Sequence, residues 1–181
     1  MSYCTAVRTT ATDPWNREYH DSEYGFPIAS DSALFERLML EINQAGLSWL
    51  TILKKREGFR AAYRGFDVAT VGAFGDKDRA RLLADASIIR NRLKVEAAIH
   101  NAQVLGRLAQ EHGGFAAWLD AAYPLTLDEW GKLFKKTFRF TGGEIVREFL
   151  VSTGYLPDAH DEDCPAYKKI LQLKPAWARR L

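Results

Sequence analysis

Along this chain, apolar residues recur at steps of three and four positions, the period of helices with one buried face. Leu34, Phe35, Leu38, Met39 and Ile42 form one such stripe; Asp31 is placed to cap its start and Gly46 to end it. Ser48 is expected to cap a second helix running through "WLTILKKRE" to Gly58. Asp67 and Asp76 stand where they would cap two short helices, the second holding Leu82 and Leu83. The longest periodic stretch, "NRLKVEAAIHNAQVLGRLAQEHGG", carries Val95, Ala98, Ile99, Ala102, Leu105 and Leu108, and Gly113-Gly114 should stop it. Further helices fit "FAAWLDAAY", "TLDEWGKLFKKTF" and "GEIVREFLVSTG". No segment alternates at period two over a strand's length, and no repeat, low-complexity tract or clear linker interrupts the chain. The predicted class is all-α.

Composition narrows this only slightly. The 181 residues suffice for one sizeable domain or two small lobes sharing a core. A net charge of +2 is too small to indicate a nucleic-acid partner, so any such signal must come from local clusters. No apolar run approaches the length of a membrane span. The first residues lack a signal peptide's pattern, so a cytoplasmic protein is expected, where Cys4 and Cys164 would not persist as a disulfide.

Three groups of residues carry possible chemistry. The first is Glu41, beside the apolar stripe of its helix, with Trp49 eight residues further on. An ionised carboxylate there is costly without a partner, so its position asks for a function. The second is Cys4 and His20 near one end with His160 and Cys164 near the other. The His-x3-Cys spacing puts its two side chains on one face of a helical turn or within reach across a short loop. Two thiolates and two neutral imidazoles fill a tetrahedral zinc site with no open position, whereas four unrelated residues are the plain alternative. The third group is basic: Lys54, Lys55 and Arg56; Arg90, Arg92 and Lys94; Lys135, Lys136 and Arg139 ahead of Gly142-Gly143. A glycine pair opening a helix can offer backbone N–H groups to a phosphate, or can be a plain turn.

Taken together, "YHDSEYGFP", "LFERLMLEINQAGLSWLTILKKREGFRAAYRGFD" and "DASIIRNRLKVEAAIHNA" closely resemble the bacterial DNA-3-methyladenine glycosylase I family, across most of residues 4 to 164. The resemblance implies a helix-hairpin-helix glycosylase fold, with two helical lobes in a single domain spanning 1–181. It implies a structural zinc that joins the chain ends through Cys4, His20, His160 and Cys164. It implies double-stranded DNA with an alkylated purine as the partner of a monomeric enzyme that flips the base out of the duplex. Glu41 matches the family's base-binding glutamate and is the candidate catalytic residue; Tyr19 and Trp49 match pocket aromatics, and Tyr24 stands at the pocket wall. Gly142, Gly143 and Lys136 are the candidate DNA contacts. A purine methylated at N3 is a cation, so a carboxylate and aromatic faces can select it over adenine.

The chain departs from the family pattern at several places. Ala6 stands where a tryptophan is usual, Tyr24 replaces another, and the glycine expected before Phe138 is missing. The hairpin reads Thr141-Gly142-Gly143-Glu144 where the family has a small residue or proline and then threonine. These changes leave two readings open: an active alkylpurine glycosylase, or a DNA-binding paralogue that recognises lesions without cutting.

Overall fold

In the computed structural model, which describes residues 2–9 and 13–179, the helical periodicity becomes twelve α-helices, with no strand among the described residues. They are α1 (Tyr3–Thr9), α2 (Pro14–Ser22), α3 (Asp31–Gln44), α4 (Trp49–Lys54), α5 (Arg56–Ala62) and α6 (Val68–Gly72). Then follow α7 (Asp76–Ala84), α8 (Arg92–His112), α9 (Phe115–Ala122), α10 (Leu127–Thr137), α11 (Gly143–Ser152) and α12 (Pro165–Gln172). None is long and apolar enough to cross a membrane.

The chain divides into two units. Ala29–Val146 form one, and the residues up to Ile28 together with those from Arg147 onward form the other. In the first, α8 packs along α6, α7 and α9. Phe35 meets Phe66 edge-on, Tyr63 stacks on Phe66, and Phe115, Trp118, Phe134 and Phe138 form an aromatic cluster. Each such ring buries a large apolar area. In the second unit α1 and α12 both pack on α2.

Helix boundaries differ from the sequence expectation where a neighbour was better placed. Ser30, not Asp31, caps α3, its hydroxyl accepting from the Ala33 N–H. Asp31 instead accepts from the Ala116 N–H at the start of α9. The helix expected from Ser48 to Gly58 breaks at Lys55 and resumes as α5, continuing past Gly58. That glycine is a site of close approach rather than a stop: a Cβ there would lie 2.6 Å from the Ser87 carbonyl. Gly75 takes the cap position expected of Asp76, and the Asp78 carboxylate accepts its N–H. Asp67 caps α6 as expected, and Gly113 ends α8 in the left-handed conformation.

Candidate functional site

The four candidate metal ligands are brought together. The first turn of α1 presents Cys4, the last turn of α2 presents His20, and the loop before α12 presents His160 and Cys164. All four are buried, and their ligand atoms lie within 4.8 Å of one another. Cys4 Sγ is 3.2 Å from His20 Nε2 and 3.4 Å from His160 Nδ1. Cys164 Sγ is 3.9 Å from His20 Nε2 and 3.5 Å from His160 Nδ1. A tetrahedral zinc with bonds of roughly 2.3 Å to sulfur and 2.0–2.1 Å to nitrogen requires sulfur–nitrogen edges of about 3.6 Å. The four sulfur–nitrogen distances bracket that value, so the donor set suits such an ion. Both cysteines are free thiols, not a disulfide.

The surroundings orient these ligands as metal sites do. The ring nitrogen of His20 that faces away from the sulfurs lies 2.7 Å from the Asp21 carboxylate. The corresponding nitrogen of His160 donates to the Tyr24 carbonyl at 2.7 Å, which fixes Nδ1 as the acceptor side. The Asp161 N–H donates to Cys4 Sγ. Burial, and then the nearby Cys164, pushes the Cys4 thiol up to about 11, and burial lowers His160. A neutral imidazole is what a metal needs, and the thiol proton must leave when an ion enters. Gly25 closes the site from behind with a positive φ of 81°; a Cβ there would stand 2.5 Å from that of Ala159.

The residues expected at the base fall in both units. Glu41 lies on α3 in the central unit, 5% exposed, and Trp49 opens α4, half-buried. Tyr19 is buried on α2 in the terminal unit. Tyr24, in the same unit, donates its hydroxyl to Glu148 and its carbonyl serves His160, so it also buttresses the metal cluster. The acid on α3 that holds two arginines is Glu36: Arg56 Nε donates to it at 2.5 Å, and Arg60 Nε at 3.0 Å.

The basic groups divide. Lys135 and Lys136 are exposed on α10. Lys55 donates to the Ala86 carbonyl and Arg56 holds Glu36, so two of the three residues in "KKR" serve packing. Lys94 is buried, contrary to the exposed role its neighbours suggested, and its ammonium donates to the carbonyls of Asn43 and Ala45. Gly142 precedes α11 and Gly143 opens it; a Cβ on either would meet nothing within 4 Å, so the backbone is open to an approaching group. Sequence reasoning missed Asn101, whose carboxamide accepts from the Arg139 N–H and donates to the Arg139 carbonyl. Its place on the buried stripe of α8 was the available signal.

Residues 9–127 match the family described as methyladenine glycosylase. The chain belongs to that family. It is 36% identical to the DNA-3-methyladenine glycosylase 1 of Escherichia coli (strain K12), with 86% of this chain and 92% of that protein covered. It is 34% identical to the DNA-3-methyladenine glycosylase of Haemophilus influenzae, over 86% and 97% of the two chains. Its fold matches that of 3-methyladenine DNA glycosylase I from Staphylococcus aureus, with a TM-score of 0.81, 32% identity, and 92% and 98% of the chains covered. A further structure with the same TM-score, identity and coverage is a tyrosine-to-phenylalanine variant of 3-methyladenine DNA glycosylase I in complex with 3-methyladenine. The all-helical architecture of this methyladenine glycosylase family member is thus the one its family predicts.

Proposed function

We propose that this protein is a base-excision DNA glycosylase that hydrolyses the N-glycosidic bond of 3-methyladenine, or a related alkylated purine, in double-stranded DNA. Two curated relatives covering most of the chain are named for this activity. Within the chain, the observation that carries the reading is Glu41, an almost fully buried carboxylate on α3, eight residues before Trp49 at the start of α4. A base alkylated at N3 brings a positive charge, which offsets the carboxylate's desolvation and strengthens its hydrogen bonds to the base. Adenine brings none. Trp49, in the same unit as Glu41, contributes aromatic surface for the flipped base, and Lys136 with the Gly142-Gly143 backbone holds the duplex.

The charge also explains why little acid catalysis is needed. As the bond between the sugar C1′ and the purine nitrogen breaks, its electron pair stays on the base and neutralises it. Water adds to C1′ and releases a proton, leaving an abasic sugar and free neutral 3-methyladenine. Glu41 binds and orients the base throughout. The Cys4, His20, His160 and Cys164 cluster would hold zinc as a closed structural ion that fixes the chain ends and takes no part in the bond cleavage. The whole chain acts as one monomeric glycosylase domain in the cytoplasm.

Base release from methylated duplex tests this directly. The wild type is expected to release 3-methyladenine, and Glu41→Gln, which keeps the shape but removes the charge, to lose roughly 1.5–3 kcal/mol of that selectivity. A wild type that binds methylated and unmethylated DNA alike and releases nothing would make it a DNA-binding paralogue.

A further inference from the structure

Helix α8 starts beside the turn that joins the helix of Glu41 to that of Trp49. Lys94, on its first turn, donates to the carbonyls of Asn43 and Ala45, each at 2.8 Å. These are carbonyls at the C-terminus of α3, which no later turn of that helix can satisfy, and a cation there also meets the negative end of the helix dipole. Burial lowers the Lys94 pKa, a cost that the two carbonyls offset.

Over the ammonium, 6.0 Å away, lies the ring of Phe140. That residue is 38% exposed and has a φ of 62°, a left-handed conformation that aromatic residues rarely adopt. Its neighbours hold it there. Asn101 grips both backbone groups of Arg139, and the Thr141 hydroxyl donates to the carbonyls of Phe134 and Phe138. Lys94 and Asn101 are seven residues apart, so they share one face of α8 about 10 Å apart along its axis. One side of a single helix therefore fixes both the turn after Glu41 and the loop before the glycine pair.

We propose that Lys94 is a positioning residue for base excision, holding the 43–45 turn and, under Phe140, the 139–143 loop at one fixed separation. This rests on the reading that Glu41 and Trp49 bind the base while Gly142-Gly143 meets the duplex. DNA seated on the loop then delivers the extruded base to a turn already at the right distance. Lys94 itself touches neither base nor phosphate.

The test uses the full chain. Lys94→Met keeps an aliphatic stem beneath Phe140 and removes the charge and the donors. Its affinity for unmethylated duplex is expected to stay near that of the wild type. Single-turnover release of 3-methyladenine per folded molecule is expected to fall roughly 10- to 100-fold, the scale of a small misplacement of reacting groups. Phe140→Ala is expected to slow release as well, and the double variant to be no slower than Lys94→Met alone, because both act through one contact. If Lys94→Met does not fold, Lys94→Gln is read in the same way. Unchanged release per folded molecule, or fully multiplicative effects, would overturn the proposal while leaving the glycosylase reading intact. A wild type that releases no base would overturn both.

Discussion

The two acids on α3 stand in different surroundings. Glu36 faces Arg56 and Arg60 and is a structural carboxylate, whereas Glu41, five residues on, is buried one turn before the helix ends. The contrast was only half legible in the sequence: the position of Glu41 beside the stripe was plain, but nothing local separated it from Glu36. Trp49 gives the matching test of the aromatic side. Trp49→Ala is expected to weaken binding of free 3-methyladenine by roughly 1–3 kcal/mol, the scale of base stacking on a ring, read by competition against base release. No loss of affinity would remove Trp49 from the base. Lys94 shows the opposite failure of sequence reasoning. A lysine between Leu93 and Val95 at the start of a helix reads as solvated, and only the carbonyls of another helix, some fifty residues earlier, draw it inside.

Among the elements, caps and hairpins carry the testable consequences. Asp67 caps α6 by accepting from the Thr70 N–H, and those hydrogen bonds to Thr70 lower its pKa from the ordinary 3.8. A carboxyl depressed on folding stabilises above its unfolded pKa and loses that contribution as pH falls through the folded value. Asp67→Ala is therefore expected to lower the melting temperature at neutral pH, with the gap to wild type closing below pH 3.8. A gap independent of pH would show that the cap works through something other than its charge. At the hairpin, Glu144 stands in the first turn of α11, where its charge would oppose an incoming phosphate. Glu144→Thr is expected to tighten duplex binding, with a slightly steeper dependence on salt; unchanged affinity would mean the glycine pair is only a turn. The long elements α3 and α8 were legible because their stripes are long. Three short ones, α1, α2 and α12, were not, because each lacks a long stripe and depends on contacts distant in sequence, whereas α6, equally short, was announced by its Asp67 cap. Asp13-Pro14 and Cys164-Pro165 were the overlooked signals, each placing proline at the first helical position.

For the molecule as a whole, the metal cluster is the element of greatest reach. Cys4 and Cys164 stand 160 residues apart, and a shared ion would close nearly the whole chain into a loop, whose entropy is removed from the unfolded state. Purified protein is expected to contain one zinc per chain. A strong chelator should lower the melting temperature and expose α1 to proteolysis; metal-free protein that melts at the same temperature would refute the structural role. The same arrangement orders events during synthesis. The central unit, Ala29–Val146, is contiguous, and its chain is complete once residue 146 is made. The terminal unit is not: Cys4 and His20 are translated first, yet their partners follow only after the entire central unit. At roughly 5–20 residues per second that interval is on the order of ten seconds. Throughout it the oldest part of the chain is the last to find its place, its thiol waiting on a newborn chain whose middle can already be folded.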